Sequence, residues 1–302
     1  MPPSRATTLA EAGLLVVVLV WGLNFAVIKV PLEVMHPFTV NLLRFLVSVG
    51  VLGAVHAVMA RQRGERFFDD LRRAPVAIIV TGVLGHVAYQ LGFILGIDRT
   101  TAGMAALLLA SNPLWTAAIA HLAGVERLRP AAWGGLAVSL AGVLVVILGR
   151  PSSGAAAEGA VVGAALLLGG ALAWALFTVA SRPILARGVS AVGLTFFGVA
   201  AAVPVLLALA APTLGQTDWA RTDALVWGAL VFSGGLSTGF AYALWNIAVR
   251  QVGPSRTAAF GNLVPFVGVA AGALLLRESV PLVQLAGGAL IVAGLVALRR
   301  VR

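Results

Sequence analysis

The chain has 302 residues, of which 60% are hydrophobic and 11% are charged, and its mean hydropathy is +1.00. This composition excludes an ordinary soluble domain and predicts a membrane protein, because each spanning helix needs about 20 mostly apolar residues. The sequence has no cysteine, which excludes structural disulfides and thiolate metal sites, and its net charge is +10.

Ten apolar stretches of spanning length follow one another with short connections, and they cover about two-thirds of the chain. In chain order they lie near 12–30, 38–60, 76–95, 101–122, 131–149, 160–181, 190–211, 224–248, 255–276 and 282–298. No room is left for a separate soluble domain. We therefore predict an all-α integral membrane protein with ten transmembrane helices.

The basic residues are distributed unevenly between the two sides of the membrane. With the N-terminus inside, fifteen of them fall in connections on the inner side and five on the outer side, and Arg44 alone lies within a predicted helix. This bias places both termini in the cytoplasm. The charge therefore sets the topology, and we expect no nucleic-acid partner.

The second half of the chain repeats the first, with identical residues 153 or 152 positions apart. The pairs are Trp21 with Trp174, Tyr89 with Tyr242, Pro113 with Pro265, Glu126 with Glu278, Gly135 with Gly287 and Gly142 with Gly294. Residues 1–150 and 151–302 are thus predicted to be two transmembrane repeats of five helices. Because five is an odd number, the second repeat must be inverted. Inverted repeats are typical of transporters that open a central site to each side in turn.

Arg44, in predicted helix 2, is the most costly residue to bury. A charge within the membrane normally faces a cavity or a partner. Its guanidinium could hold a substrate carboxylate in a bidentate pair. The alternatives are a structural arginine that bonds to helix carbonyls, or one that reaches the outer interface.

A second set of candidates for substrate binding consists of aromatic and polar residues in predicted helices 1, 3, 4, 6 and 8. Large aromatic side chains deep in the membrane suit ring-bearing or apolar solutes and can attract an ammonium group. The set consists of Trp21, Asn24, His86, Tyr89, Gln90, Trp115, Trp174, Thr178, Tyr242, Trp245 and Asn246. Helical spacing places His86, Tyr89 and Gln90 on one face of predicted helix 3. It likewise places Tyr242, Trp245 and Asn246 on one face of predicted helix 8. The alternative is helix packing alone.

Pro113 and Pro265 lie near the middle of predicted helices 4 and 9. Proline removes a backbone donor, so each helix should kink or break there. Asn112 precedes the first proline, and Asn262 lies three residues before the second. We interpret these four residues as hinge or gating elements beside a central cavity; the alternative is a static packing kink.

No pattern indicates catalysis, a cofactor or a metal site. The histidines lack metal-ligand spacing, and the chain has no phosphate-binding loop. We therefore predict facilitated transport or exchange by a protein that is not an enzyme. Only His86 is central enough for proton coupling.

These features resemble the drug/metabolite transporter superfamily, in particular its EamA-type ten-helix members. The resemblance rests on Trp21-Gly22, Asn24-Phe25, Pro37, Arg44-Phe45, Tyr89, Ala102, Pro113 and Glu126, and in the second copy on Trp174, Tyr242, Pro265 and Glu278. The resemblance covers residues 10–298, and the sequence is most similar to bacterial exporters of amino acids, including aromatic ones. The second copy has no arginine equivalent to Arg44.

The resemblance implies export or exchange of small metabolites across the bacterial cytoplasmic (inner) membrane, through a cavity between the two repeats. The expected partners are a small-molecule substrate and the lipid bilayer, and we expect a monomer or a weak homodimer. The alternative is a carrier of the same superfamily for another solute, such as a drug, a nucleotide-sugar or a polyamine, with proton coupling. A nucleotide-sugar would call for clustered basic residues in the cavity, and a cationic drug for a buried carboxylate.

Overall fold

The computed structural model describes residues 5–149, 155–252, 257 and 260–300, which form helices joined by short turns. The membrane helices are α1 (Arg5–Val27, resuming as Lys29–Leu32), α2 (Pro37–Gln62), α3 (Pro75–Asp98), α4 (Ala102–Leu109, resuming as Asn112–Leu122), α5 (Pro130–Leu148), α6 (Ala155–Ala186), α7 (Ala191–Ala210), α8 (Ala224–Val231, Phe232–Phe240 and Ala241–Val252), α9 (Val264–Leu275) and α10 (Leu282–Arg300). Shorter helical segments are Asp69–Arg73, Ala211–Gln216 and Trp219–Arg221.

In this part of the chain, eight helices are long and apolar enough to cross a membrane, and α9 and α10 supply two shorter apolar helices. The predicted all-α membrane fold with ten helices is therefore confirmed. The ninth predicted stretch, near 255–276, falls partly outside the described residues.

Helices begin where the sequence supplies a proline or a capping side chain. Proline occupies the first turn of α2, α3 and α5, where its missing N–H costs nothing. Side-chain oxygens of Thr101, Ser190 and Asp223 accept backbone N–H groups in the first turns of α4, α7 and α8. The prolines remove, and the caps satisfy, N–H groups that have no partner within the first turn of a helix.

The packing of α5 against α10 shows how the two repeats are related. The backbone of Gly135 approaches that of Gly294, and Gly142 approaches Gly287, so that a Cβ would lie 2.7 and 2.6 Å from the facing carbonyl oxygens. Gly135 is equivalent to Gly287, and Gly142 to Gly294, so each glycine of α5 contacts the equivalent of the other one. This crosswise pairing requires the two helices to run antiparallel. The repeats are therefore inverted, and small residues let their last helices touch.

This contact gives a stability prediction with an internal control. A Cβ on Gly135 would also lie 2.8 Å from the backbone nitrogen of Leu298, whereas a Cβ on Gly134 would meet open space. We expect Gly135→Ala to lower the free energy of unfolding by about 1–3 kcal/mol, the usual cost of overpacking. Gly134→Ala should be neutral or slightly stabilising. Melting temperatures of the two variants in detergent check this, and equal values would contradict it.

The connection between α2 and α3 docks onto α7 through a buried carboxylate. Asp70 is 1% exposed, accepts a hydrogen bond of 2.9 Å from the Ser190 backbone N–H, and forms ion pairs of 3.0 and 2.9 Å with Arg63 and Arg73. Burial raises the pKa of Asp70, but the hydrogen bonds from Ser190 and the positive charge of Arg63 outweigh it, so the pKa lies below its usual value. Its stabilising contribution is thus present at neutral pH and is lost as the pH falls through the lowered pKa. The side of the bundle that carries the connection between α2 and α3 also carries the start of α1, and we call it the N-terminal face.

Candidate functional site

Two ring pairs at the centre of the bundle join the repeats. The rings of Trp21 and Tyr242 have centroids 5.5 Å apart, and those of Trp174 and Tyr89 are 5.1 Å apart. Each pair combines the tryptophan of one repeat with the tyrosine of the other, and the four residues are the equivalents identified in the sequence. The rings therefore lie about the pseudo-two-fold axis, where neither repeat alone completes the arrangement.

Further rings extend these pairs into one continuous set, the ring cluster: Trp21, Phe25, His86, Tyr89, Phe93, Trp174, Phe177, Tyr242 and Trp245. Trp21 lies 5.0 Å from Trp245, and Trp174 lies 5.7 Å from Tyr242. The tryptophans and tyrosines of the cluster are only half-buried, which leaves part of each ring surface uncovered. Such a surface can receive a ring-bearing or apolar group.

Arg44 lies beside this cluster and is 2% exposed. Its guanidinium carbon lies 5.5 Å from the centroid of the Phe93 ring. Within the described residues, its hydrogen bonds go to side-chain oxygens, those of Asn41, Gln90 and Thr238. Among the described residues, no backbone carbonyl accepts a hydrogen bond from the Arg44 guanidinium, and the side chain is buried.

The middle of α8 is a π-helix over Phe232–Phe240, and the first repeat bonds to it at several points. The Ser48 hydroxyl donates to the Gly234 carbonyl at 2.8 Å, and the Trp21 indole donates to the Ser237 carbonyl at 3.0 Å. π-segments inside helices are frequent at functional sites. Sequence reasoning missed this segment, although its run of serine, threonine and glycine within an apolar stretch was a usable signal.

The remaining predicted binding residues occupy different surroundings. Asn24 is 6% exposed and its Oδ1 lacks a hydrogen-bond partner within the described chain. Asn246 is half-buried one turn after Tyr242. Thr178 bonds back to the carbonyl of Trp174 at 2.8 Å, and the indole of Trp115 donates to the Ser111 hydroxyl at 3.0 Å. No ring pair among the described residues joins Trp115 to the cluster.

A turn directly precedes the proline-containing helical segment in both α4 and α9. Turns occupy positions 110–111 and 262–263, so that Pro113 and Pro265 are each the second residue of the helical segment that follows. Asn262 lies in the second turn, and the Oδ1 of Asn112 is buried without a partner in the described part of the chain. The predicted interruptions are present; the hinge or gating role of these residues stays a prediction.

On the face opposite the N-terminal face, the start of α4 contacts the residues that follow α9. The Glu278 carboxylate accepts hydrogen bonds from the backbone N–H groups of Ala102 and Gly103 at 2.8 and 3.1 Å. Lys29 donates to the carbonyl of Thr100 in the same turn. On the N-terminal face, the equivalent carboxylate, Glu126, forms an ion pair with Arg182. Glu278, which belongs to the second repeat, thus caps the start of α4, which belongs to the first.

The described residues contain no group of three or more His, Cys, Asp or Glu side chains that could hold a metal ion. The candidate functional site consists of rings, one buried guanidinium and neutral polar groups. This composition is suited to binding and releasing an organic solute.

Comparison with known proteins identifies the family. The model of the EamA-like transporter family matches residues 8–148 and 161–300. A probable amino-acid metabolite efflux pump of Salmonella typhimurium is 30% identical over 93% of this chain and 91% of its own. A probable terminal-alkyne amino-acid exporter of Streptantibioticus cattleyicolor is 27% identical over 95% of this chain and 92% of its own.

A solved crystal structure, 23% identical in sequence, has the same fold with a TM-score of 0.65 over 98% of this chain and 97% of its own. The family model covers both repeats separately, in agreement with the crosswise pairing of the glycines and rings. The chain belongs to the EamA-like transporter family and is a membrane transporter, not an enzyme.

Proposed function

We propose that this multi-pass inner-membrane protein exports amino acids and related small metabolites, aromatic ones included, by alternating access. Both termini lie in the cytoplasm in this proposal, as the distribution of basic residues predicts. Two relatives that match over more than nine-tenths of their length are named for amino-acid metabolite efflux or amino-acid export. The protein acts as a monomer or a weak homodimer.

The observation that carries the proposal is the crosswise pairing of Trp21 with Tyr242 and of Trp174 with Tyr89. A site on the pseudo-two-fold axis is reached equally from either face once the repeats exchange conformations. Its partly uncovered aromatic walls suit amino acids with ring-bearing or apolar side chains. Export then follows the solute gradient, as facilitated diffusion or as exchange.

A second mode, proton-coupled transport of another solute, is favoured by one observation. His86 is 2% exposed, packs 4.9 Å from Phe177, and its Nε2 has no hydrogen-bond partner in the described chain. A buried imidazole beside the substrate rings could exchange a proton during the cycle. His86→Gln separates the two modes, because in the proton-coupled mode it would remove the effect of a pH gradient on the transport rate, whatever its effect on gradient-free counterflow.

The test is counterflow of labelled phenylalanine in proteoliposomes without an imposed ion gradient. We expect transient accumulation of label above its equilibrium level, competed by tryptophan and methionine but not by a nucleotide-sugar. Liposomes with Gly134→Ala protein serve as a matched positive control, and protein-free liposomes give the background. No accumulation by folded protein, with or without a pH gradient, would contradict amino-acid transport.

A further inference from the structure

We propose that Arg44 binds the carboxylate of the transported solute and that the ring cluster receives the rest of the molecule, so that the carboxylate, rather than the ammonium group, defines the substrate class. The inference rests on the proposed function and deepens it. Its substrates are carboxylates with an apolar or aromatic body, including N-acylated amino acids and acids without an amino group.

The first argument is the incomplete set of hydrogen bonds around the guanidinium. Its contacts with Asn41, Gln90 and Thr238 measure 3.5, 3.4 and 3.4 Å, beyond the usual 2.7–3.2 Å. Its Nε has no partner in the described chain. An arginine has five N–H donors and these three contacts are long, so this one retains donors for a further acceptor.

The second argument is the missing counter-charge. The ion pairs of the described residues lie elsewhere, and no carboxylate oxygen among them comes within 4.0 Å of the Arg44 guanidinium. A desolvated cation without an anion is costly at membrane depth. A substrate carboxylate would supply that anion and could bond in the bidentate geometry that guanidinium favours.

The third argument is the position of the charge at the edge of the ring cluster. Phe93 lies under the guanidinium and continues to Tyr89, at 6.2 Å, and to Phe25, at 6.0 Å. A molecule with its carboxylate at Arg44 therefore places its apolar body along Phe93 and Tyr89, towards Trp174. Within the described part of the chain, Asp70 on the N-terminal face is the buried acidic residue, and the ring cluster contains no carboxylate to pair with an ammonium group. The ion pair available to a substrate in this site is therefore the one with its carboxylate.

Binding at Arg44 also requires movement, which links recognition to the transport cycle. The guanidinium is 2% exposed and is covered from α8 by Thr238 of the π-segment. The carboxylate reaches it only when α2 and α8 separate, which loosens the bond between Ser48 and Gly234. A carboxylate that takes the place of Thr238 would favour this separated arrangement, because it binds that state better.

The experiment compares analogues of phenylalanine that keep only one of its two charged groups. In phenylalanine counterflow, 3-phenylpropionate and N-acetylphenylalanine should compete within about tenfold of phenylalanine itself, whereas phenylalaninamide and phenethylamine should compete at least tenfold less well. In purified protein, 3-phenylpropionate should raise the melting temperature and phenethylamine should not. This second readout needs no transport.

Variants test whether Arg44 is responsible. Arg44→Gln should raise the half-saturating concentration of phenylalanine at least tenfold and remove the thermal shift by 3-phenylpropionate, while Arg44→Lys should be intermediate. Arg99→Gln is the control, because Arg99 is exposed and bonds to the Leu95 carbonyl of its own helix. If Arg44→Gln does not fold, the analogue series on the wild-type protein and Arg44→Lys still decide the question.

The outcomes separate this inference from the proposed function. Equal competition by phenylalaninamide and phenylalanine would overturn the carboxylate site while amino-acid transport stands. Absence of phenylalanine counterflow with a retained, Arg44-dependent shift by 3-phenylpropionate would overturn the proposed substrate but support the site. Absence of both competition and thermal shift by carboxylates overturns the inference.

Discussion

Replacing Trp174 by alanine is expected to abolish transport and to leave the protein folded in the membrane. Its ring contacts four others, those of Tyr89, Tyr242, Phe177 and His86, with centroids 5.1, 5.7, 5.4 and 6.4 Å away. Removing it takes away one wall of the proposed site and the contact of the second repeat with Tyr89. We expect the initial rate of phenylalanine counterflow to fall at least tenfold.

The Trp174→Ala result needs a control that removes a tryptophan elsewhere. Trp227 also lies in the second repeat, in α8, but is 44% exposed, so Trp227→Ala should transport at nearly the wild-type rate. Trp174→Phe keeps an aromatic face and should retain part of the activity. Melting temperatures establish folding for all three variants. A wild-type rate in folded Trp174→Ala would show that this ring does not line an essential site.

The general architecture was predictable because membrane helices leave a strong signal in sequence. Runs of about 20 apolar residues marked the spans, and the spaced identities between Trp21 and Trp174 and between Gly142 and Gly294 marked the repeat. An odd number of helices per repeat then required inversion. The antiparallel packing of α5 against α10 shows this inversion in the structure.

The contacts inside the site were less predictable because they depend on how the repeats dock. The sequence identified Trp21 and Tyr242 as candidates but carried no information that they pair across the repeats. The π-helix over Phe232–Phe240 was not predicted either, because hydrogen bonds from other helices, such as that from Ser48, stabilise its wider turns. Trp115 illustrates the converse: its depth resembled that of the other tryptophans, yet its indole bonds within its own helix.

Removing the Glu278 carboxylate is expected to open the face opposite the N-terminal face. That carboxylate accepts two backbone hydrogen bonds at the start of α4. Hydrogen bonds to a charged group contribute about 1.5–3 kcal/mol each, so losing both should shift the balance between closed and open states at least tenfold. The favourable alignment of the carboxylate with the dipole of α4 is lost as well.

The absence of cysteine makes this shift measurable, since an introduced thiol is the only one in the chain. Val269 is half-buried on α9, and its Cα lies close to Gly103, one of the two residues that donate to Glu278. We expect an impermeant maleimide, added from the face opposite the N-terminal face, to label Val269→Cys slowly. In the additional presence of Glu278→Ala, labelling should be at least tenfold faster, and Glu278→Gln, which keeps one acceptor oxygen, should be intermediate.

Glu126 provides the matched control because it is the equivalent carboxylate of the other repeat and lies on the N-terminal face, paired with Arg182. If the repeats exchange roles during transport, Glu126→Ala should not accelerate labelling of Val269→Cys from the opposite face. An equal acceleration by both substitutions would indicate general loosening of the bundle, and unchanged labelling in Glu278→Ala would show that α4 and α9 stay together without the carboxylate. Acceleration by Glu278→Ala alone would assign closure of this face to one carboxylate that bridges the two repeats.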